Sequence, residues 1–126
     1  MAYLFDTDIL IDYLRGCSEA VAAIETHTSE AYISVMTVAE LYQGVRDGDE
    51  RAKLAATVSA FTILSITTDI AEQGGLFSRD YRVSHGCGLA DCIIAATADS
   101  HGLVLCTLNG KHYPMIRTIE VPYRKS

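Results

Sequence analysis

A chain of 126 residues suits one hydrophobic core and is too short for two, so a single domain spanning 1–126 is expected. Apolar residues make up 49% of it in short periodic blocks, the composition of a globular protein that needs no metal or disulfide staple to fold. A formal charge of -6 excludes a protein that coats nucleic acid through a basic face; a polyanionic substrate has to be met by a bound cation or a local basic patch.

Tyr3-Leu4-Phe5 reads as a short buried strand that stops at Asp6, and residues 8–14 read as a helix ending before Gly16. A second helix is predicted over 18–26 and a strand over 31–34, followed by a helix in which Val38, Leu41, Tyr42 and Val45 share one apolar face. Gly44, Asp47-Gly48-Asp49 and the charged run to Lys53 mark a turn, before a helix near 52–60 and a strand over 61–66. Residues 68–81 read as helical, with a bend or break allowed at Gly74-Gly75, because each glycine weakens a helix by about 1 kcal/mol relative to alanine. Residues 82–88 read as a polar loop. Residues 89–101 form a helix apolar on nearly every side and closed by Gly102, which predicts a central, buried position. A strand over 103–106, a turn at Asn109-Gly110 and a last short strand over 118–121 complete the chain, which contains no internal repeat.

Cys17, Cys87, Cys92 and Cys106 form no CxxC pair, and the first six residues place no basic segment ahead of an apolar core. Reduced thiols, no targeting segment and a cytoplasmic location are therefore expected. His85, Cys87, Cys92 and His101 are zinc-capable residue types, but their spacing matches no ligand pattern and they flank an apolar helix, so ordinary buried thiols are the reading preferred. The apolar run from Cys92 to Ala98 is far short of the roughly 20 residues that cross a bilayer. No membrane span is expected.

Strands separated by helices predict an α/β fold with a parallel sheet covered on both faces, because parallel neighbours need crossovers. Ligand sites in such sheets gather at the carboxyl ends of the strands. Asp6 follows the first strand, Glu40 begins the helix after the second, and Asn109 follows the strand that ends near Thr107. Each acid also has a bland reading. Asp6 can cap the next helix, with Asp8 as a competing cap; Thr37-Val38-Ala39-Glu40 has the pattern of a capping box; Asp91 suits the dipole of an apolar helix's first turn. Taken together, Asp6, Glu40 and Asp91 stand at helix starts expected to converge on one face, where like charges raise one another's pKa and a hard divalent cation relieves them. An all-oxygen set favours magnesium or manganese over zinc.

Leu4-Phe5-Asp6-Thr7-Asp8, Thr37-Val38-Ala39-Glu40-Leu41, the stretch from Leu89 to Ala98, and the stretch from Thr107 to Tyr113 resemble the motifs of the PIN domain family, and within it the VapC toxins of toxin-antitoxin pairs. Motif order and chain length both fit. The resemblance implies a three-layer α/β/α fold with a central parallel sheet, and a magnesium- or manganese-dependent endoribonuclease that cuts RNA with a metal-activated water. It also implies a homodimer and a cognate VapB-type antitoxin that blocks the active site. By position it makes Asp6, Glu40 and Asp91 the acidic ligands and catalytic residues, with Asn109 as a neutral oxygen ligand and Thr7 and Thr107 as supporting hydroxyls. The family's usual fourth acid is replaced by His112, ahead of Tyr113, which weakens the case for a second metal. Arg79, Arg82 and Lys111 are candidate RNA contacts, and His112 is a candidate supporting residue. A catalytically weak binding protein and a non-toxin RNA-processing nuclease are the alternatives. A haloacid-dehalogenase-like phosphatase built on Asp6 and Asp8 lacks its downstream acidic pair.

Overall fold

The computed structural model describes residues 2–27 and 30–124. Among these, five short strands, β1 (Tyr3–Phe5), β2 (Ala31–Ser34), β3 (Thr62–Leu64), β4 (Val104–Cys106) and β5 (Ile119–Glu120), form one sheet in the order β3-β2-β1-β4-β5. Every pairing is parallel, with Tyr3 opposite both Ala31 and Val104, and Phe5 opposite Cys106. The crossovers that parallel neighbours require are built from α1 (Thr7–Leu14), α2 (Ser18–Thr26), α3 (Val35–Gln43), α4 (Asp49–Val58), α5 (Thr68–His85) and α6 (Leu89–Ser100).

Successive strand residues point to opposite faces, and this divides the core in two. Leu4 and Leu105 pack with Ile94, Ala95 and Ala98 of α6, whereas Phe5 and Cys106 pack with Ile9 and Leu10 of α1, Ile24 of α2, Leu41 of α3 and Leu54 of α4. Ile70 then joins α5 to Ile93 and Ala96 of α6. The result is the expected three-layer α/β/α fold around a central parallel sheet. Residues Cys92 to Ala98 are all buried, as the apolar composition of that helix predicts.

Several boundaries differ from expectation for identifiable reasons. No break occurs at Gly74-Gly75: α5 runs unbroken to His85, and Gly74 serves as the contact point with α6. A Cβ there would lie 2.8 Å from Ile93 Cγ1 and 2.9 Å from Ile93 Cα. The predicted loop over 82–88 shrinks accordingly, because only the left-handed Gly86, at φ 73°, ends the helix. Helix α4 begins earlier than predicted, with Asp49 and Glu50 in its first turn where they suit the helix dipole. Val45 lies beyond Gly44, the C-cap of α3, and β3 has three residues instead of the six predicted.

The expectation of four reduced thiols is also corrected. Cys87 and Cys92 are disulfide-bonded, the turn after Gly86 having brought their Cα atoms to 5.9 Å, and this leaves Cys17 and Cys106 as free cysteines among the described residues. Among those residues no helix is long and apolar enough to cross a membrane.

Candidate active site

The chain lays β2 and β3 on one side of β1 and then returns to add β4 and β5 on the other. Strand order reverses between β1 and β4, so their carboxyl ends are where a crevice is expected in such a sheet. Asp6 is the first residue after β1 and Thr107 the first after β4, held in register by a bond from Asp6 N–H to the Cys106 carbonyl at 2.9 Å.

Asp6 is both the N-cap of α1 and the centre of this crevice. Its side chain is 3% exposed; Oδ1 accepts from Thr7 N–H at 2.8 Å, and Oδ2 accepts from the Thr107 hydroxyl at 2.8 Å and the Tyr113 hydroxyl at 3.0 Å. Burial raises its pKa, against the opposing pull of the Thr107, Thr7 and Tyr113 hydrogen bonds and the nearby His112. Asp8 is not the competing cap. It sits in the first turn, where Oδ1 accepts from Ile9 N–H at 2.7 Å and Oδ2 from Leu108 N–H and Asn109 Nδ2, each at 3.1 Å. Burial, and then the charge of Asp6, push its carboxyl up to about 6.

The capping-box reading of Glu40 is overturned. Ser34 is the N-cap of α3, its hydroxyl accepting from Met36 N–H at 3.0 Å, so Thr37 and Glu40 lie inside the helix. Glu40 Oε1 instead accepts from the Thr7 hydroxyl at 2.7 Å, and that hydroxyl shares a further hydrogen bond with Thr37 at 3.0 Å. The first residue of α1 thus ties Glu40 to the end of β1 across the crevice.

Asp91 occupies the first turn of α6, half-buried, and accepts no side-chain hydrogen bond among the described residues. Burial pushes its carboxyl up to about 6, aided by the charges of Asp6 and Glu40 and opposed by His112. Acids from two distant segments, Asp6 and Glu40, thus act on the Asp91 carboxyl. Among the described residues, no group of three His, Cys, Asp or Glu side chains is drawn tightly enough together to hold an ion as it stands. The donor chemistry nevertheless fits a hard divalent cation, since these are partly desolvated carboxylates of like charge and none has a salt-bridge partner among the described residues.

The other expected residues divide. Asn109 is at the site, but its amide nitrogen is engaged with Asp8. His112 lies in a short 3-10 turn, Gly110–His112, beside the C-terminal end of α5; a Cβ on Gly86 would be 3.7 Å from its Nε2. Lys111 shares that turn and is exposed, and Arg82 lies in the last turn of α5 that approaches it. Arg79 is taken up by its neighbour Asp80 at 2.8 Å on open surface. Sequence reasoning read Asp8 as a cap or a phosphatase acid and Thr37 as part of a capping box, and it gave Tyr113 no role. The Asp6-Thr7-Asp8 spacing was a usable signal for the first, whereas nothing in the sequence pairs Tyr113 with Asp6.

The chain matches the PIN domain family over residues 3–115. It is 38% identical to ribonuclease VapC10 of Mycobacterium tuberculosis over 123 residues, covering 95% of this chain and 92% of the relative. With ribonuclease VapC19 of the same organism it shares 40% identity over 124 residues, or 95% and 98% of the two chains. Among solved structures, a toxin-antitoxin complex from Klebsiella pneumoniae superposes with a TM-score of 0.85 at 35% identity, covering 98% of this chain and all of that one.

Proposed function

The chain belongs to the PIN domain family, and from that premise we propose that it is the toxin ribonuclease of a toxin-antitoxin pair, using magnesium or manganese at Asp6, Glu40 and Asp91. The site assignment is supported by the Thr7 hydroxyl, which ties Glu40 to the residue next to Asp6 at 2.7 Å, and by the Asp91 carboxyl, pushed up first by burial and then by the charges of Asp6 and Glu40. The ribonuclease function rests on the relatives named VapC10 and VapC19, and the antitoxin partner on the Klebsiella pneumoniae complex.

When bound, the cation supplies a lowered water pKa and offsets charge that grows on the scissile phosphate. The chain's own groups do the positioning. Asp6, clamped by three donors, and Asp91 would hold the cation. Glu40 has one oxygen fixed by Thr7, which leaves Oε2 to orient the attacking water and take its proton. Thr107 supports Asp6, and Asn109 supports Asp8 and offers its amide oxygen as a neutral ligand. Lys111, Arg82 and His112 line the side where the RNA backbone would pass, while Arg79 is the weakest of the proposed contacts because Asp80 already neutralises it.

A homodimer belongs to the same reading. Leu76 and Val83, seven residues apart on one face of α5, are both exposed, Val83 at 92%. Sedimentation of the purified chain at micromolar concentration tests it. A second functional reading, a PIN-like protein that binds without cutting, is favoured by a single observation, His112 in the place of the fourth acid. Incubation of the pure protein with RNA, magnesium or manganese decides between them. Cutting that stops on chelation and in Asp6→Asn supports the nuclease; RNA left intact under both metals supports the binder.

A further inference from the structure

Tyr113 ends the turn that follows β4, is 1% exposed, and packs among Leu4, Ile94, Ala95 and Leu105 in the core beneath α6. A phenylalanine would fill that space equally well. The hydroxyl is therefore not there for packing, and a phenol in an apolar core costs stability unless it finds a partner. Its partner is Asp6 Oδ2 at 3.0 Å.

An ionised carboxylate offers about four acceptor directions. On Asp6 three are filled: one on Oδ1 by Thr7 N–H, and both on Oδ2 by the Thr107 and Tyr113 hydroxyls. One direction stays open, on Oδ1. The segment after β4 also supplies another donor to the neighbourhood, with Asn109 Nδ2 on Asp8. A second cation approaching Asp6 from that side would meet hydroxyl protons.

Resting on the metal-dependent reading above, we propose that Tyr113 is a positioning residue which, with Thr107, closes Asp6 Oδ2, so that Asp6 ligates through Oδ1 alone and the site takes a single divalent cation.

Calorimetric titration of Mn2+ into the wild-type chain and Tyr113→Phe, beside thermal melts and RNA cleavage as a function of Mn2+, tests this. The wild type is expected to bind one Mn2+ per chain. Loss of a hydrogen bond to a metal-ligating group weakens metal affinity by about tenfold or more, so Tyr113→Phe should bind Mn2+ about tenfold more weakly and need correspondingly more for half-maximal cleavage. Its rate at saturating Mn2+ should change much less than its affinity, and a purely structural role would move the melt without moving the affinity. Unchanged affinity in Tyr113→Phe, or two Mn2+ per wild-type chain, overturns the proposal. A wild type that binds no Mn2+ overturns the metal-dependent reading itself, a distinct result that removes the proposal with it. If Tyr113→Phe fails to fold, Thr107→Val removes the other hydroxyl from the same oxygen, with the same expectation and the same overturning results.

Discussion

Asp6, at the end of β1, and Asp91, in the first turn of α6, are held in opposite conditions. Asp6 is fully enclosed and held by three donors, whereas Asp91 is half-buried and held by none among the described residues. Both are pushed toward neutrality, chiefly by burial, but only Asp6 has hydrogen bonds that resist the push. The contrast teaches that the fold preorganises Asp6 with hydrogen bonds and leaves Asp91 without one among the described residues, where the proposed cation would be its partner.

The contrast can be broken most forcefully by removing charge from the preorganised side. Asp6→Asn should reduce RNA cleavage about a thousandfold or more, since a metal centre supplies several kcal/mol of transition-state stabilisation and each 1.36 kcal/mol is tenfold in rate. Single-turnover assays with a labelled RNA measure it, and retention of more than a tenth of the activity would remove Asp6 from the centre.

Stability sharpens the same contrast. Asp6→Ala strands the buried Thr107 and Tyr113 hydroxyls and should cost about 1–3 kcal/mol in urea denaturation without metal. Asp91→Ala strands nothing and relieves repulsion, so the metal-free chain should be as stable as the wild type or more so, while Mn2+ binding is lost. Equal destabilisation by the two substitutions would contradict the division drawn here.

Acid titration gives a third, smaller effect. Burial above all pushes the Asp8 and Asp91 carboxyls up to about 6 in the folded chain, from an ordinary value of 3.8. Between those values the folded chain holds more protons than the unfolded one, so the contribution of both groups to stability declines as pH rises through that window and levels off above it. The metal-free melting temperature should therefore fall between about pH 4 and 6, and Asp91→Asn should flatten the fall. Over the same rise Mn2+ should bind more tightly, because protons no longer compete for the ligands. The smallest effect is expected at the rim: Lys111→Ala or Arg82→Ala should raise KM for RNA a few-fold and reduce its salt dependence, leaving the rate at saturation nearly unchanged.

Much of this was legible from residues alone. The strand at Tyr3-Leu4-Phe5 and the helix beginning at Leu89 follow from apolar runs whose length and punctuation admit few alternatives, and Asp6 and Asp91 stand at their edges. Glu40 was harder. Its local spacing matched a capping box, and only the position of Ser34 at the start of α3 turned the side chain toward Thr7 instead. The Gly74 contact was misread as a weakness in the helix because the close approach of Ile93 comes from a different helix.

Periodicity, turn residues and the order of acids along the chain determined the α/β class and named three of the pocket's carboxylates, because these are properties of near neighbours in sequence. Only the tertiary structure decided which groups hold those carboxylates. The Tyr113 and Thr107 hydroxyls reach Asp6 from more than a hundred residues away. That pairing exists because parallel strands β1 and β4 lie side by side, a consequence of topology that no local pattern records.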